Sequence, residues 1–310
     1  MMEKKLLNQI VRIQKTHFRK AFGKGMSDQQ CRELAEKLRK AYNENQFIYR
    51  QDEKGKLIYF FQYQLSIMQE FNEQFFHVPL FWSRETAGAR KKLLSEIGKE
   101  ARKNKKEKKI KRMLITVSAD ETHWIESFKK SGKLTYIELV GKTDESIVRL
   151  KKLLKKETKP KGFSFSRLKA SDVPALVKLD IESHLKDPSS RMRDIFLKPI
   201  GKKLMKNFYR NLVKSGKCFV LRKDGKMAGS IAWFIDQKNH YGLVASIFVA
   251  ENFKGQGLSK VMYLKLLEEF KRKKCPYYIG SSTTENVLLL AKKIKRKPMN
   301  YSFIVRISML

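Results

Sequence analysis

Lys254-Gly255-Gln256-Gly257-Leu258-Ser259 lies between an apolar run that ends at Val249 and an amphipathic run that begins at Leu258. Two glycines one residue apart allow backbone conformations closed to other residues, so successive amide N–H groups can converge on one object. Donors of that kind at the opening of a helix form an anion site, and a diphosphate is the usual guest. A plain tight connection between strand and helix is the other reading of such a glycine pair. The spacing does not fit a Walker loop, which needs a longer run ending Gly-Lys-Ser/Thr. Nor are the three spaced glycines of a dinucleotide fingerprint present.

The elements that must hold this loop are legible on both sides. Tyr241–Val249 reads as a strand, and Leu258, Met262, Leu266 and Phe270 set one apolar face of the helix that follows. Lys217–Asp236 reads as two strands joined at Asp224-Gly225, a hairpin turn signal. Cys275–Ser281 predicts a short strand, Glu285–Ala291 a helix with Thr284 as N-cap, and Tyr301–Ile307 a last strand. Two helical runs, 173–185 and 200–214, precede the hairpin.

Val249, four intervening residues and Lys254-Gly255-Gln256-Gly257-Leu258-Ser259 resemble the acetyl-coenzyme A loop of the GNAT N-acetyltransferase superfamily. That family's pattern is Arg or Gln, two residues, Gly, one residue, Gly or Ala. Here Lys254 stands at the first position and Ser259 at the last; one keeps the charge and the other keeps a small side chain. The resemblance extends over the order of elements from about Phe163 onward. It implies an α/β (α+β) fold with a mixed, mostly antiparallel sheet flanked by helices. It implies transfer of acetyl from acetyl-CoA, as cosubstrate, to a primary amine by direct attack, with no metal.

On that resemblance, Lys254, Gly255, Gln256, Gly257, Leu258 and Ser259 hold the pyrophosphate. Ile247, Phe248 and Val249 form the strand whose backbone N–H polarises the thioester carbonyl. Asn286 contacts the pantetheine arm, although a local cap of its own helix is an equal reading. The acid and base are harder to assign, because 242–249 carries no carboxylate. Ser246, through a relayed water, and Glu285 are the candidates; a strand hydroxyl and a helix-start carboxylate are more often structural. His240 sits in an expected turn, and Tyr301 is the nearest tyrosine to the position where the family has one.

The first half repeats the order: strand, glycine-containing turn and strand over 46–60, a strand at 75–82, and a helix over 85–105. A strand at 113–118, a helix at 121–132 and a strand at 134–140 follow. This pattern predicts two GNAT-like domains, 1–156 and 163–310, joined by a connecting helix over 143–156 and a Pro/Gly-containing linker at 157–162. The first half's counterpart of the loop, Ser83 to Arg90, matches only at Gly88 and Ala89 and puts Glu85 where the family has Arg or Gln. An anion there repels a diphosphate. The first domain is therefore expected to be non-catalytic.

At 310 residues and 42% hydrophobic content, the chain suits two packed domains. No apolar run approaches membrane-spanning length, and the first residues do not read as a signal peptide, so a cytoplasmic location is expected by elimination. Cys31, Cys218 and Cys275 lack metal-ligand spacing. The net charge of +37 leaves nucleic acid as a secondary partner, but the lysines are spread over most helices. No aromatic platform or zinc module accompanies them. Two alternatives to the acetyltransferase stay open. One is a Fem-type aminoacyl transferase using charged tRNA; the other is a non-catalytic module binding acetyl-CoA or RNA. The oligomeric state and the acceptor are not written in the sequence.

Overall fold

The computed structural model describes residues 2–68, 73–108, 110, 112–156, 162–186 and 193–307. The fold is α+β, with mixed sheet flanked by helices, and the chain divides into two compact units. One comprises Met1–Ile137 with Pro298–Leu310, the other Glu138–Lys297. The expected linker at 157–162 lies outside the described residues except for Gly162.

The first unit opens with helices α1 (Lys4–Phe22) and α2 (Asp28–Asn43). Gly23 ends α1 in the left-handed conformation, and Ser27 opens α2 with a capping box closed by Gln30. Strands β1 (Phe47–Gln51), β2 (Leu57–Met68) and β3 (Glu73–Ser83) run antiparallel in turn. Helix α3 (Ala87–Lys108) carries the chain to β4 (Arg112–Ser118), parallel to β3. Helix α4 (Thr122–Ser131) then leads into β5 (Gly132–Lys142). A further strand of this unit comes from far along the chain: β11 (Lys297–Arg306) pairs antiparallel with β4, Phe303 opposite Ile115. Phe61, Phe76, Ile115, Phe128 and Phe303 meet in its core.

Helix α5 (Thr143–Lys156) follows β5. The second unit then runs through β6 (Phe163–Arg167), α6 (Val173–Lys186), α7 (Arg193–Phe196) and α8 (Pro199–Ser215). Strands β7 (Cys218–Lys223), β8 (Lys226–Asp236) and β9 (Tyr241–Val249) extend the antiparallel part of the sheet. The β7–β8 turn uses Asp224 and Gly225, both at positive φ, which gives the twist a two-residue hairpin needs. Helix α9 (Leu258–Arg272) connects β9 to the parallel strand β10 (Tyr277–Ser282), and α10 (Glu285–Lys293) follows. The strand beyond β10 is β5.

Compactness thus changes at Ile137/Glu138 and again at Lys297/Pro298, whereas the sequence reading changes domains at 157–162. The physical reason is the allotment of two strands. β5, read as the end of the first half, has its later residues in the second unit, and most of β11, read as the end of the second half, lies in the first. Hydrophobic alternation marks both as strands but carries no record of which neighbour each will meet.

Candidate active site

Strands β9 and β10 pair in parallel register only from Tyr241/Tyr277 to Val244/Gly280. β9 continues for five residues past that point, so the two strands part there. A bulge at the same place changes what β9 shows to the gap. Trp233 pairs with Val244 and Ala232 with Ser246, leaving Ala245 as the extra residue. An extra residue reverses the alternation of backbone groups along a strand. Beyond it, Ser246 and Phe248 exchange hydrogen bonds with β8, a phase continued by the Ala250 N–H on the Ala228 carbonyl at 2.9 Å. The N–H groups of Ile247 and Val249 therefore point to the side from which β10 has departed.

The side chains of this segment divide between the faces of the sheet. Ile247 and Val249 pack with the α9 core, whereas Phe248 is buried among residues of α6 and α8. By the same alternation the Ser246 side chain lies on the α6/α8 face. It has no hydrogen-bond partner among the described residues.

A short 3-10 turn, Glu251–Phe253, then leads to the glycine loop. Phe253 packs into the core on one side and Leu258, 2% exposed, anchors the other. Between them Lys254, Gly255 and Gln256 are exposed. Gly255 and Gly257 take φ of 78° and 71°, and no atom lies within 4 Å of where a Gly255 Cβ would stand. Gly257 is the N-cap of α9 and supplies no side-chain acceptor. Among the described residues, none accepts a hydrogen bond from the backbone N–H groups of Gly255, Gln256, Gly257, Leu258 or Ser259. Five consecutive donors thus remain for an external acceptor at the positive end of a 15-residue helix.

The Lys254 ammonium is less free than the resemblance implies. It pairs with Glu251 Oε2 at 2.8 Å, and the same contact lowers the Glu251 pKa. Because β9 and β10 are parallel, the glycine loop and the start of α10 leave the same end of the sheet. Glu285 and Asn286 are both exposed in the first turn of α10, and their side chains have no hydrogen-bond partner among the described residues. Thr284 is the N-cap residue, but its hydroxyl caps nothing; its own N–H donates to Ser282 Oγ at 3.0 Å. Tyr301 pairs with Val117 in the first unit, so it does not belong to the unit that holds the loop. His240 occupies a turn at φ 52°.

Two features near the parting of the strands escape sequence reading. Ala245 has no signature as a bulge. Arg296, 6% exposed, donates through Nη2 to the Gly280 carbonyl at 2.8 Å and the Leu139 carbonyl at 2.9 Å. Its Nη1 lies 3.2 Å from the Tyr263 hydroxyl, and its guanidinium lies 5.1 Å from the centre of the Tyr278 ring. This cation fastens β5, β10 and α9 where the gap begins. The buried ionisable groups of the α6/α8 face are enclosed in its core. Tyr209 donates to Asp180 at 2.5 Å, and burial pushes the Cys218 thiol up to about 12.

Residues 183–289 match the acetyltransferase (GNAT) family. Over that stretch the chain is similar to a GNAT domain. No curated protein matches the chain. Solved structures extend the likeness of fold beyond that stretch. A GCN5-related N-acetyltransferase from Sphaerobacter thermophilus has a TM-score of 0.58 at 10% identity, over 96% of this chain and 91% of that one. A tandem GNAT protein of the clavulanic acid biosynthesis pathway has a TM-score of 0.50 at 11% identity, over 97% and 95%. A glucosamine N-acetyltransferase region of a fungal multi-domain GH3 beta-N-acetylglucosaminidase has 0.52 at 14%, over 96% of this chain and 37% of that one. Among the described residues, no group of three or more His, Cys, Asp or Glu could hold a metal ion. No helix there is long and apolar enough to cross a membrane.

Proposed function

We propose that the GNAT domain is an acetyl-CoA-dependent N-acetyltransferase acting on a primary amine, and that the first unit is a diverged, non-catalytic GNAT-like copy. The observation that carries the first part is the row of open backbone donors from Gly255 to Ser259. When bound, acetyl-CoA supplies an activated thioester. The donors of the loop would hold its diphosphate. The N–H groups of Ile247 and Val249 would donate to the carbonyl oxygen as charge develops on it. Asn286 and Glu285, at the same end of the sheet, are the side chains available to the pantetheine arm and the incoming amine. Ser246 is available to a water on the opposite face.

The second part draws on the loop from Ser83 to Ala89. Gly88 is absent from the positive-φ positions, unlike Gly255 and Gly257. The Thr86 hydroxyl accepts the Ala89 N–H at 3.2 Å, so a donor of that loop is already used. Arg84 is turned away, bound to Asp52 at 2.7 Å and the Leu57 carbonyl at 2.8 Å.

Calorimetric titration with acetyl-CoA tests the reading. The wild-type chain is expected to bind and Gly257→Glu to lose binding, because a carboxylate and a Cβ at φ 71° would occupy the donor row. Free-thiol release with a panel of primary amines then separates an enzyme from a non-catalytic binding module. Binding without thiol release for any amine would favour the module, a reading motivated by the exposure of Glu285 and the unpartnered Ser246 hydroxyl. No binding at all would sink both.

A further inference from the structure

The first unit contains an opening of its own. β3 and β4 pair from Phe75/Arg112 to Val78/Ile115 and then part, at Pro79, which has no N–H to continue the ladder. A cavity of about 240 Å³ lies there, lined by Leu80 and Phe81 of β3, Ser118 of β4, and His17, Phe18 and Phe22 of α1. Its walls are mainly apolar, with Gln14, Thr116, Ser118 and Asn300 adding polar positions and His17 forming one corner. The imidazole Nδ1 is 2.8 Å from Asp120 Oδ1, and Asp120 also accepts from Lys20 Nζ at 2.7 Å and Ser118 Oγ at 2.6 Å. Burial raises the Asp120 carboxyl, but these three donors outweigh it and hold the pKa well below the carboxylate range. In the tautomer whose Nδ1–H is given to Asp120, Nε2 is the acceptor of the ring. Nε2 has no hydrogen-bond partner among the described residues, Glu121 Oε1 standing 3.8 Å off.

We propose that this cavity is a binding site for a small uncharged molecule with an aromatic or branched aliphatic body and one hydroxyl, donated to His17 Nε2. Charge is disfavoured in the ligand because the carboxylate and cations of the corner are already paired with one another, and an unpaired ion against aromatic walls is costly. The volume is below the usual range for drug-sized ligands, so the body holds on the order of ten non-hydrogen atoms. The neighbouring loop has spent a donor on Thr86 and holds Arg84 away, so the ligand carries no diphosphate.

Met26 and Met299 also line the cavity and report on it directly. With methyl-labelled methionine in the full chain, benzyl alcohol is expected to shift both methyl resonances saturably. It should bind roughly five- to ten-fold more tightly than toluene, the body without the hydroxyl. His17→Leu should remove that preference and retain toluene binding. Ala21→Leu, on a half-buried lining position of α1, should abolish both. No saturable shift with either probe, equal affinities in the wild-type chain, a preference that survives His17→Leu, or binding untouched by Ala21→Leu would each overturn the proposal. Should His17→Leu fail to fold, His17→Gln with the same pair of probes gives the comparison.

Discussion

Val244 and Gly280 are the last residues at which β9 and β10 face one another in register, and the missing Cβ of Gly280 is what lets them approach. A Cβ there would stand 3.0 Å from the Val244 Cβ and 2.9 Å from Arg296 Nη2. Arg296 cannot simply swing aside, since the same nitrogen donates to two carbonyls. Gly280→Ala is therefore expected to destabilise the second unit by roughly 1–3 kcal/mol, the usual cost of overpacking a filled site. Acetyl-CoA affinity should fall with it. Urea denaturation and calorimetry check the two effects, and unchanged stability would show that Arg296 is more mobile than its hydrogen bonds imply.

The pairing of Lys254 with Glu251 makes a prediction of opposite sign. Glu251→Gln releases the ammonium and removes an anion beside the loop, so acetyl-CoA should bind about two- to five-fold more tightly at low salt. The gain should vanish in Glu251→Gln/Lys254→Gln and shrink as salt is raised. A loss of affinity on Glu251→Gln would mean the carboxylate shapes the loop.

His77 sits in β3 with Nδ1 3.1 Å from Gln64 Nε2, and burial lowers its pKa to about 4. As pH falls below about 6.5, the unfolded chain takes up the proton while the folded chain resists until about 4. Stability of the first unit should drop across that window, by on the order of 3 kcal/mol at most. His77→Gln should flatten this part of the profile in denaturation measured from pH 7 to 4.

Asp180 is 2% exposed, and burial raises its carboxyl pKa, opposed by His184 and by the Tyr209 hydroxyl. Above the ordinary carboxylate value the unfolded chain ionises first, so this residue's contribution to stability declines as pH rises. Asp180→Asn keeps an acceptor for Tyr209 and should remove that decline. Tyr209→Phe removes the hydroxyl donor and leaves the buried carboxyl with His184 alone, which should cost roughly 1–3 kcal/mol. Comparing denaturation midpoints of the three chains at pH 4.5 and 7 distinguishes these outcomes.

Much of the site was readable because it rests on local grammar. Leu258, Met262, Leu266 and Phe270, four apart, are all buried on one face of α9. Asp224-Gly225 forms its hairpin, and Gly255 and Gly257 take the backbone angles that only glycine adopts easily. The bulge at Ala245 and the clamp at Arg296 were not readable, because each depends on partners from distant strands rather than on spacing. Lys254 shows the same limit in small: its charge was evident, but its engagement by Glu251 three residues earlier was not. The candidates Glu285 and Asn286 lie at the same end of the sheet as the loop and are exposed there.

The allotment of β5 and β11 bears on how this protein is made. The first unit needs residues 298–307 to complete its sheet, so emergence of the first 156 residues from the ribosome leaves β4 with an open edge. An uncovered edge is where wrong strands add. Synthesis must run through the entire second unit before that edge is covered, and a fragment cut at the connecting helix would carry the same exposed flank permanently.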